Sequence, residues 1–295
     1  IVAPILEQSG LKAGIDFLLA YSPERVLPGK ILEEIIQNTR VIGGIDERSA
    51  AAGKELYSTF VKGDILLTNA TTAEMVKLME NTYRDINIAT ANEFAHLADR
   101  FGVNAWEAIQ IANRHPRVNI LNPGPGVGGH CISVDPWFLV EAAPDISPLV
   151  HTAREINDAQ PQYVVNTIER RIGPLQGKKI TVLGLSYKPN IDDLRESPAI
   201  KIVHLLEQRQ VQVTVFEPYK LDGYHGSAKS AATFEEAVLD SEIILLLVAH
   251  NEFTVLKPEE VARQTSARIA FDMCGGWQSA AWEKAGFQFY KLGLP

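Results

Sequence analysis

The chain has 295 residues, of which 46% are hydrophobic and 22% are charged, a composition typical of a globular protein with about two domains. Its formal net charge of -8 argues against non-specific binding to nucleic acid or to an anionic membrane surface. Its apolar runs are shorter than the roughly 18 to 20 residues that a membrane-spanning helix needs. We therefore predict neither nucleic acid nor a membrane as a partner.

Cysteine usage and the chain start bear on the compartment. Cys131 and Cys274 lie far apart and show no paired spacing, which indicates a reducing compartment, the cytoplasm, and no disulfide framework. The opening IVAPILEQSGLKAG has no methionine, no basic region and no small-residue cleavage site, so it is not typical of a signal peptide. We expect the sequence to be a fragment that begins inside a longer protein.

Short strands and helices alternate over residues 1–70. The pattern predicts strands at DFLLAYS, TRVIGGID and DILLTN, with a helix at ERSAAAGKELYSTFV between the last two. Such alternation is typical of part of an α/β layer.

Hydrophobic residues recur with the period of an α-helix over residues 71–172. One long helix is predicted from Thr71 to Gly102, a second begins at the capping residue Asn104, and a third runs from Ser147 to Arg171. The long helix is apolar on more than one face, which favours a homodimer through this region. Its apolar candidates are Met75, Leu78, Ile86, Ala89 and Phe94.

The α/β alternation returns over residues 173–295. Strands are predicted at KKITVLGLSY, VQVTVFEP, EIILLLVA and ARIAFDMCG, with a helix at ESPAIKIVHLLEQRQ. A strand, a glycine turn, a helix and a strand closed by Glu217 follow the order of a nucleotide-binding βαβ unit. Because the spacing is long and G-x-G-x-x-G is missing there, we predict a Rossmann-like domain without an NAD site.

The loop NPGPGVGGHCISVDPW places one thiol among four glycines. A lone cysteine is most often a small buried residue, and Cys274 at the end of a predicted strand fits that interpretation. Cys131 has little apolar bulk beside it, and the glycines would let backbone N–H groups approach a ligand. We therefore predict that Cys131 is an accessible nucleophile.

Two other interpretations of this loop are weaker. GPGVGG matches a dinucleotide fingerprint by letter, but we expect neither a strand before it nor a clean helix after it. A metal site formed by His130, Cys131 and Asp135 lacks the ligand spacing of zinc sites. We predict no metal.

Five sequence blocks carry a family resemblance: SPERVLPG, AEMVKLMENTYRDINIATANE, HPRVN, PGPGVGGHCISVDP and GLSYKPNIDDLRESPA. In this order they resemble the nucleotide-sugar 6-dehydrogenases, the group of the UDP-glucose and GDP-mannose dehydrogenases. GGHCISVDPWFL and ANRHPRVNI are most similar to the UDP-N-acetyl-D-mannosamine branch. UDP-N-acetylglucosamine dehydrogenases share the form G-G-H-C-I-x-V-D-P, so that branch and the UDP-glucose enzymes stay as alternatives.

The resemblance implies a fold and a reaction. The fold would combine the remainder of an N-terminal Rossmann domain over residues 1–70, a central dimerisation region over 71–172 and a UDP-binding domain over 173–295. The reaction would be an NAD-dependent four-electron oxidation of a sugar C6 hydroxyl to a carboxylate. Cys131 would form a thiohemiacetal and then a thioester.

The resemblance also implies roles for individual residues. Lys77 would assist proton transfer and stabilise an oxyanion, Glu24 would handle protons and the hydrolytic water, and Asp135 would be the acid near the lysine. Cys131 completes this catalytic set.

Further residues would bind ligands. Spacing alone places Lys77, Asn81 and Arg84 on one helix face, and without the resemblance a solvated polar stripe explains them equally well. His115 and Arg117 would reach the nucleotide sugar of a neighbouring subunit, Arg195 would contact NAD, and Asp192 and Asp193 would be structural. The implied substrate contacts are Arg25, Val26, Asn81, Arg84, His115, Arg117, Gly126, Gly128 and Lys188.

This sequence departs from the family at the NAD fingerprint, since no G-x-G-x-x-G follows an N-terminal strand. We therefore expect these 295 residues to be inactive alone, although the parent protein would be an enzyme. Two other classes stay open: a non-catalytic nucleotide-sugar binding module, and a thiol enzyme of unrelated chemistry such as an aldehyde dehydrogenase. The order of the five blocks disfavours the latter, and the combined catalytic set disfavours the former.

Overall fold

The structure is a computed structural model that describes residues 1–26 and 29–295. Leu27 and Pro28, which belong to the SPERVLPG block, lie outside the described residues. The chain divides into two compact units, Ile1–Asn81 and Thr82–Pro295. The three domain boundaries expected from the sequence stay a prediction.

The first unit contains a three-stranded sheet in the order β1-β2-β3. β1 pairs antiparallel with β2, and β2 pairs parallel with β3. The helix α3 connects β2 to β3 along the chain. Asp46 caps α3 by accepting the N–H of Ser49 at 2.7 Å. The elements are α1 (Val2–Leu6), a 3-10 turn (Glu7–Ser9), β1 (Ala20–Tyr21), α2 (Ile31–Gln37), β2 (Arg40–Gly44), α3 (Glu47–Tyr57) and β3 (Ile65–Asn69).

The strand predicted at DFLLAYS is largely wrong, because only Ala20–Tyr21 is extended and paired. A tight turn precedes it. The Asp16 carboxylate accepts the N–H of Lys12 at 2.8 Å, and Gly14 adopts φ +80°. These local hydrogen bonds compete with strand pairing over the first half of the predicted segment.

The long helix α4 spans Ala70–Phe101 and includes residues of both units. Its end confirms the predicted stop: Gly102 has φ +71°, and Val103 N–H reaches back to the carbonyl of Ala98 at 2.9 Å. This is the Schellman arrangement, in which glycine adopts the left-handed conformation at low cost.

Three more helices follow: α5 (Ala105–Ala112), α6 (Asp135–Ala142) and α7 (Pro148–Ile172). Asn104 caps α5 as predicted, accepting the N–H groups of Trp106 and Glu107. The expectation that no clean helix follows the glycine-rich loop is wrong, because α6 does. Pro136 in the first turn of α6 is compatible with a helix, since that turn has no intrahelical partner for its N–H groups.

The remaining residues form a six-stranded parallel sheet in the order β6-β5-β4-β7-β8-β9. Counted from β4, this is the order 3-2-1-4-5-6 of the Rossmann fold, which confirms the predicted class. The elements are β4 (Lys179–Leu183), α8 (Pro198–Gln208), β5 (Gln212–Phe216), β6 (Lys229–Ser230), α9 (Phe234–Val238), β7 (Ile243–Leu246), α10 (Asn251–Thr254), α11 (Pro258–Gln264), β8 (Ile269–Asp272), α12 (Ser279–Lys284) and β9 (Gln288–Lys291).

The core lies on both faces of this sheet. Ile180 and Val182 of β4 join one buried cluster, whereas Leu183 joins a second cluster. Residues of α7 and α8 complete the first cluster, including Ile168 and Ile202. Two covered faces explain why these strands are almost continuously apolar. Among the described helices, none has both the length and the apolar character for crossing a bilayer.

Candidate functional site

In the first unit, Glu24 and Lys77 lie together. The ammonium of Lys77 on α4 donates to the backbone carbonyl of Glu24 at 2.8 Å. The Glu24 carboxylate turns back onto its own loop, where Oε1 accepts the N–H groups of Arg25 at 2.7 Å and Val26 at 2.9 Å. The Glu24 side chain remains 63% exposed. Two of the predicted catalytic residues are thus adjacent, joined by a hydrogen bond between residues 53 positions apart in sequence.

Arg25, predicted to contact substrate, ties this loop to its surroundings. Its Nη2 and Nε donate to the Glu80 carboxylate at 2.5 and 3.1 Å, and its Nη1 donates to the carbonyl of Thr39 at 3.0 Å. A two-point arginine–carboxylate contact fixes the orientation of both groups. Sequence reasoning missed Glu80, because its partner is 55 residues away along the chain.

The polar residues Lys77, Asn81 and Arg84 on one face of α4 differ in their exposure to solvent. Asn81 is buried, whereas Arg84, one turn further along α4, is exposed. A stripe of purely solvated residues therefore does not describe Asn81. His115 and Arg117, which follow α5 in the second unit, have exposed side chains.

In the second unit, Cys131 lies on the turn that leads into α6. Its carbonyl accepts the N–H groups of Val134 at 3.0 Å and Asp135 at 2.7 Å. Asp135 opens α6 and is buried, while Cys131 is a partly buried free thiol.

Two glycines of the Cys131 loop, Gly126 and Gly128, have a packing role that was not predicted. A Cβ at Gly128 would lie 2.7 Å from Cβ of Tyr187 and 2.8 Å from the carbonyl of Glu196. A Cβ at Gly126, which has φ +139°, would lie 2.9 Å from Pro198. The missing side chains thus allow close packing against another protein segment, and the approach of a ligand to this loop stays a prediction.

That segment is the loop after β4, which carries the predicted ligand contacts Lys188 and Arg195. Gly129 N–H donates to the carbonyl of Arg195 at 3.1 Å, so the two loops are joined directly. Lys188 is partly buried, and its carbonyl accepts the hydroxyl of Ser186 at 2.7 Å. The structure therefore brings Cys131 and these two residues into one region of the second unit.

Arg195 forms a two-point contact with Asp193, with Nε–Oδ1 at 2.9 Å and Nη2–Oδ2 at 2.6 Å. The hydrogen bond from Arg195 lowers the pKa of Asp193. The Asp193 carboxylate, and more weakly Cys131, raise the pKa of Arg195.

Glu217, at the end of β5, closes the turn after β4. Its Oε2 accepts the N–H groups of Leu185 at 2.7 Å and Ser186 at 3.0 Å. In nucleotide-binding Rossmann units the N–H groups of this turn face a phosphate, whereas here a buried carboxylate takes them. This arrangement supports the prediction that the turn is not an NAD site.

His250 completes the buried network around Glu217. Its Nδ1 accepts the N–H of Asn190 at 2.9 Å, so Nε2 carries the proton and donates to Glu217 at 3.0 Å. Burial alone would raise the pKa of Glu217, but the bonds from His250 and from the backbone outweigh it and leave the pKa lowered. Sequence reasoning missed His250.

The structure also bears on the second cysteine and on metals. Cys274 packs against the second core cluster, and burial raises its pKa well above the ordinary value.

Among the residues that the structure describes, no group of three or more His, Cys, Asp or Glu side chains is arranged to hold a metal ion.

Comparison with known proteins identifies the family. Residues 1–61, 71–159 and 181–279 match, in turn, the NAD binding, central and UDP binding domains of the UDP-glucose/GDP-mannose dehydrogenase family. The chain is 50% identical over 278 residues to a UDP-N-acetyl-D-mannosamine dehydrogenase of Methanocaldococcus jannaschii, covering 93% of this chain and 64% of that protein.

Two further proteins are also similar. An NDP-N-acetyl-D-galactosaminuronic acid dehydrogenase of Ralstonia solanacearum is 47% identical, with 90% of this chain and 62% of that protein covered. The solved structure of a UDP-N-acetyl-mannosamine dehydrogenase from Staphylococcus aureus matches with a TM-score of 0.88 and 42% identity, covering 100% of this chain and 68% of the other. The chain spans somewhat less than two thirds of the two relatives matched by sequence. It belongs to the UDP-glucose/GDP-mannose dehydrogenase family.

Proposed function

We propose that the protein to which these residues belong is an NAD-dependent dehydrogenase that oxidises the C6 hydroxyl of UDP-N-acetyl-D-mannosamine to the carboxylate. The observation that carries the proposal is the placement of Cys131. The thiol lies at the start of α6, in a loop packed against the loop of Lys188 and Arg195. The name of the relative at 50% identity supports the choice of sugar.

Cys131 supplies the covalent part of the proposed mechanism. After the first oxidation, the sulfur adds to the C6 aldehyde and forms a thiohemiacetal. After the second oxidation the same sulfur holds the sugar as a thioester. Attack by water then breaks the C–S bond, releases the carboxylate and restores the thiol.

Glu24, Lys77 and Asp135 handle protons and charge in this proposal. The Lys77 ammonium, held by the Glu24 carbonyl at 2.8 Å, stabilises the negative oxygen at C6. The exposed Glu24 carboxylate orients the hydrolytic water and takes its proton. Asp135, buried in the first turn of α6, is the third acid–base group of the proposed set.

The residues that the family resemblance implies are the proposed substrate contacts. Lys188 and Arg117 would neutralise the diphosphate, while Asn81 and Arg84 would hold the sugar. Arg25 and Val26 would contribute through the Glu24 loop, and His115 with Arg117 would serve a neighbouring subunit. Gly126 and Gly128 would act through the packing that they allow.

The residues present fit NAD in part. Residues 1–61 match the family's NAD binding domain, and Arg195 offers an exposed guanidinium. When bound, NAD takes up the hydride released at C6 in each of the two oxidations. Since no G-x-G-x-x-G follows an N-terminal strand, we expect the 295-residue polypeptide to bind the sugar nucleotide without turning it over.

A different amino sugar is the alternative substrate, since the relative from Ralstonia solanacearum is named for N-acetyl-D-galactosaminuronic acid. UDP-N-acetylglucosamine and UDP-glucose stay as further alternatives. Discrimination between such sugars depends on contacts worth about 1–3 kcal/mol each.

Calorimetric titration of the polypeptide with UDP-N-acetylmannosamine, UDP-N-acetylglucosamine and UDP-glucose tests the substrate. Tightest binding of the first sugar nucleotide is expected. Tightest binding of another would reassign the substrate, and binding of none by the full-length protein would contradict the proposal.

We also propose a homodimer through the central helical region, in the cytoplasm. Phe94, Leu97 and Phe101 of α4 are exposed, and together with Val103 and Ile109 they line an apolar groove beside α5. Exposed apolar grooves of this kind are typical of protein–protein interfaces.

A further inference from the structure

The segment that leads to the Cys131 loop is held by side-chain amides. In the described structure residues 119–124 are neither helix nor strand. Asn113, at the end of α5, makes two bonds to Ile120: its Nδ2 donates to the carbonyl at 2.8 Å, and its Oδ1 accepts the N–H at 2.7 Å. One carboxamide thus satisfies both backbone groups of one residue.

The same arrangement recurs on α4. Asn87 Oδ1 accepts the N–H of Leu121 at 3.0 Å, and its Nδ2 donates to the carbonyl of Asn119 at 2.8 Å. A carboxamide offers one donor face and one acceptor face, as a peptide group does, so it can replace the neighbouring strand that this segment lacks.

Gly124 is held from two helices at once. Its N–H donates to Asn92 Oδ1 of α4 at 2.9 Å, and its carbonyl accepts Gln160 Nε2 of α7 at 2.9 Å. Gln160 Oε1 in turn lies 2.8 Å from His96 Nε2, which donates to it. We call Asn87, Asn92, Asn113 and Gln160 the carboxamide clamp.

The clamp is anchored in a buried polar network. Asn92 Nδ2 donates to Asn157 Oδ1 at 3.0 Å, and Asn157 Nδ2 donates to Asp85 Oδ1 at 2.9 Å. Arg154 Nη1 reaches the same Asp85 oxygen at 2.5 Å. Asp85, Asn92, Arg154, Asn157 and Gln160 are all essentially inaccessible to solvent. Networks of this kind restrict side-chain motion, since each member fixes the orientation of the next. Among the described residues, two buried atoms of the network, Asp85 Oδ2 and Arg154 Nε, have no hydrogen-bond partner.

Cys131 is therefore constrained from two directions. Seven residues before it, Gly124 is fixed by the clamp. Closer to it, Gly128 packs against the loop after β4, and Gly126 packs against Pro198 at the start of α8. The position of the sulfur depends on where this segment runs, because glycine-rich backbone has many alternative conformations.

We propose that the carboxamide clamp consists of positioning residues for Cys131, whose task is to set the place of the thiol. The part of this inference that concerns turnover rests on the proposed function, while the part that concerns thiol accessibility does not.

Two substitutions open the clamp at different points. Gln160→Met keeps the length of the side chain but removes the donor to Gly124, and Asn113→Ala removes both bonds to Ile120. Gln162→Met is the matched control, because Gln162 lies on the same helix but donates to the exposed Asn166. Asn113 is only partly buried, so its variant stays informative if the Gln160 variant does not fold.

The first experiment measures alkylation of the native polypeptide by iodoacetamide, with Cys131 and Cys274 quantified separately by peptide mass spectrometry. Both clamp variants are expected to raise the Cys131 rate about fivefold, because a looser loop exposes the sulfur. The Cys274 rate should stay within about twofold, since global loosening alone would raise both rates. A folded clamp variant whose Cys131 rate equals that of Gln162→Met overturns the proposal.

The second experiment measures steady-state kinetics in the full-length protein. The clamp variants should lower kcat more than about tenfold while KM for the UDP-sugar changes less than about twofold, because a misplaced nucleophile affects reaction more than binding. A raised KM with unchanged kcat overturns the proposal. If the parent oxidises no UDP-sugar, the proposed function fails, and the alkylation rates alone still decide the role of the clamp.

Discussion

At the scale of single residues, the two cysteines show how environment separates one thiol from another. Cys274 lies against Asp272 and the second core cluster, and burial raises its pKa, which keeps it in the unreactive thiol form. Cys131 lies on the turn into α6, where its carbonyl accepts the N–H groups of Val134 and Asp135. Burial thus makes Cys274 a structural residue, whereas Cys131 is the proposed nucleophile.

Gly128 and Gly124 make a matched pair for testing the packing of the Cys131 loop. Gly128→Ala is expected to destabilise the second unit by about 1–3 kcal/mol, because its Cβ would overlap Tyr187 and the Glu196 backbone. No described atom lies within 4 Å of a Cβ built at Gly124, so Gly124→Ala is the control. Urea unfolding measures both, and equal stability of the two variants would contradict the packing role.

At the scale of secondary-structure elements, α4 and α7 are joined by a buried ion pair. Arg154 and Asp85 are both inaccessible to solvent, and burial raises the pKa of Asp85 despite the neighbouring guanidinium. Such pairs contribute little net stability but are costly to break on one side.

Arg154→Met tests this pair. It is expected to destabilise the protein by about 3–5 kcal/mol, because an uncompensated carboxylate stays buried. Combining it with Asp85→Asn should recover a substantial part of the loss, since the double variant buries no lone charge. Chemical denaturation of Arg154→Met, Asp85→Asn and the double variant measures the coupling, and a double variant no more stable than Arg154→Met would contradict it.

The turn after β4 predicts a pH dependence. The folded pKa of Glu217 is lowered, so its contribution to stability is present above the ordinary value of 4.5 and is lost as the pH falls through the folded pKa. Glu217→Gln should be less stable than the parent by about 1–3 kcal/mol at pH 7. This difference should shrink on acidification, as followed by urea unfolding at several pH values. A difference that stays constant from neutral to acidic pH would rule this origin out.

At the scale of the whole molecule, four of the six strands of the parallel sheet, the Rossmann-like class and the ends of the longer helices could be predicted from the sequence. Their signals are local: Gly102 ends α4, Asn104 caps α5, and apolar runs mark strands covered on both faces. Sequence pattern also singled out Cys131, since a thiol among four glycines is unusual. Family resemblance was needed to assign roles to Lys77 and Glu24.

The features that were missed depend on contacts between distant residues. The partners of Glu217 and Arg25 lie 33 and 55 residues away, and neither pairing has a signature in the sequence. The purpose of Gly128 likewise depends on Tyr187, which only the folded chain brings beside it. The helix α6 was missed because its eight residues directly follow an irregular loop.

The proposed dimer is also a property of the whole molecule. Leu97 is 44% exposed and Phe101 is 72% exposed on α4, so Leu97→Glu should place a charge within the interface and shift a dimer toward monomer. Leu239→Glu is the control, because Leu239 is 65% exposed on a different surface of the second unit. Sedimentation velocity at micromolar concentration measures both, and a monomeric parent protein would contradict the proposal.

The proposed reaction is a four-electron oxidation that passes through Cys131. Its most direct test is the amount of NADH formed per UDP-N-acetylmannosamine consumed by the full-length protein, with Cys131→Ala beside it. The proposed chemistry predicts two NADH per sugar for the parent and no uronate from the variant, since no thioester can form. One NADH per sugar, or undiminished uronate formation by Cys131→Ala, would contradict it.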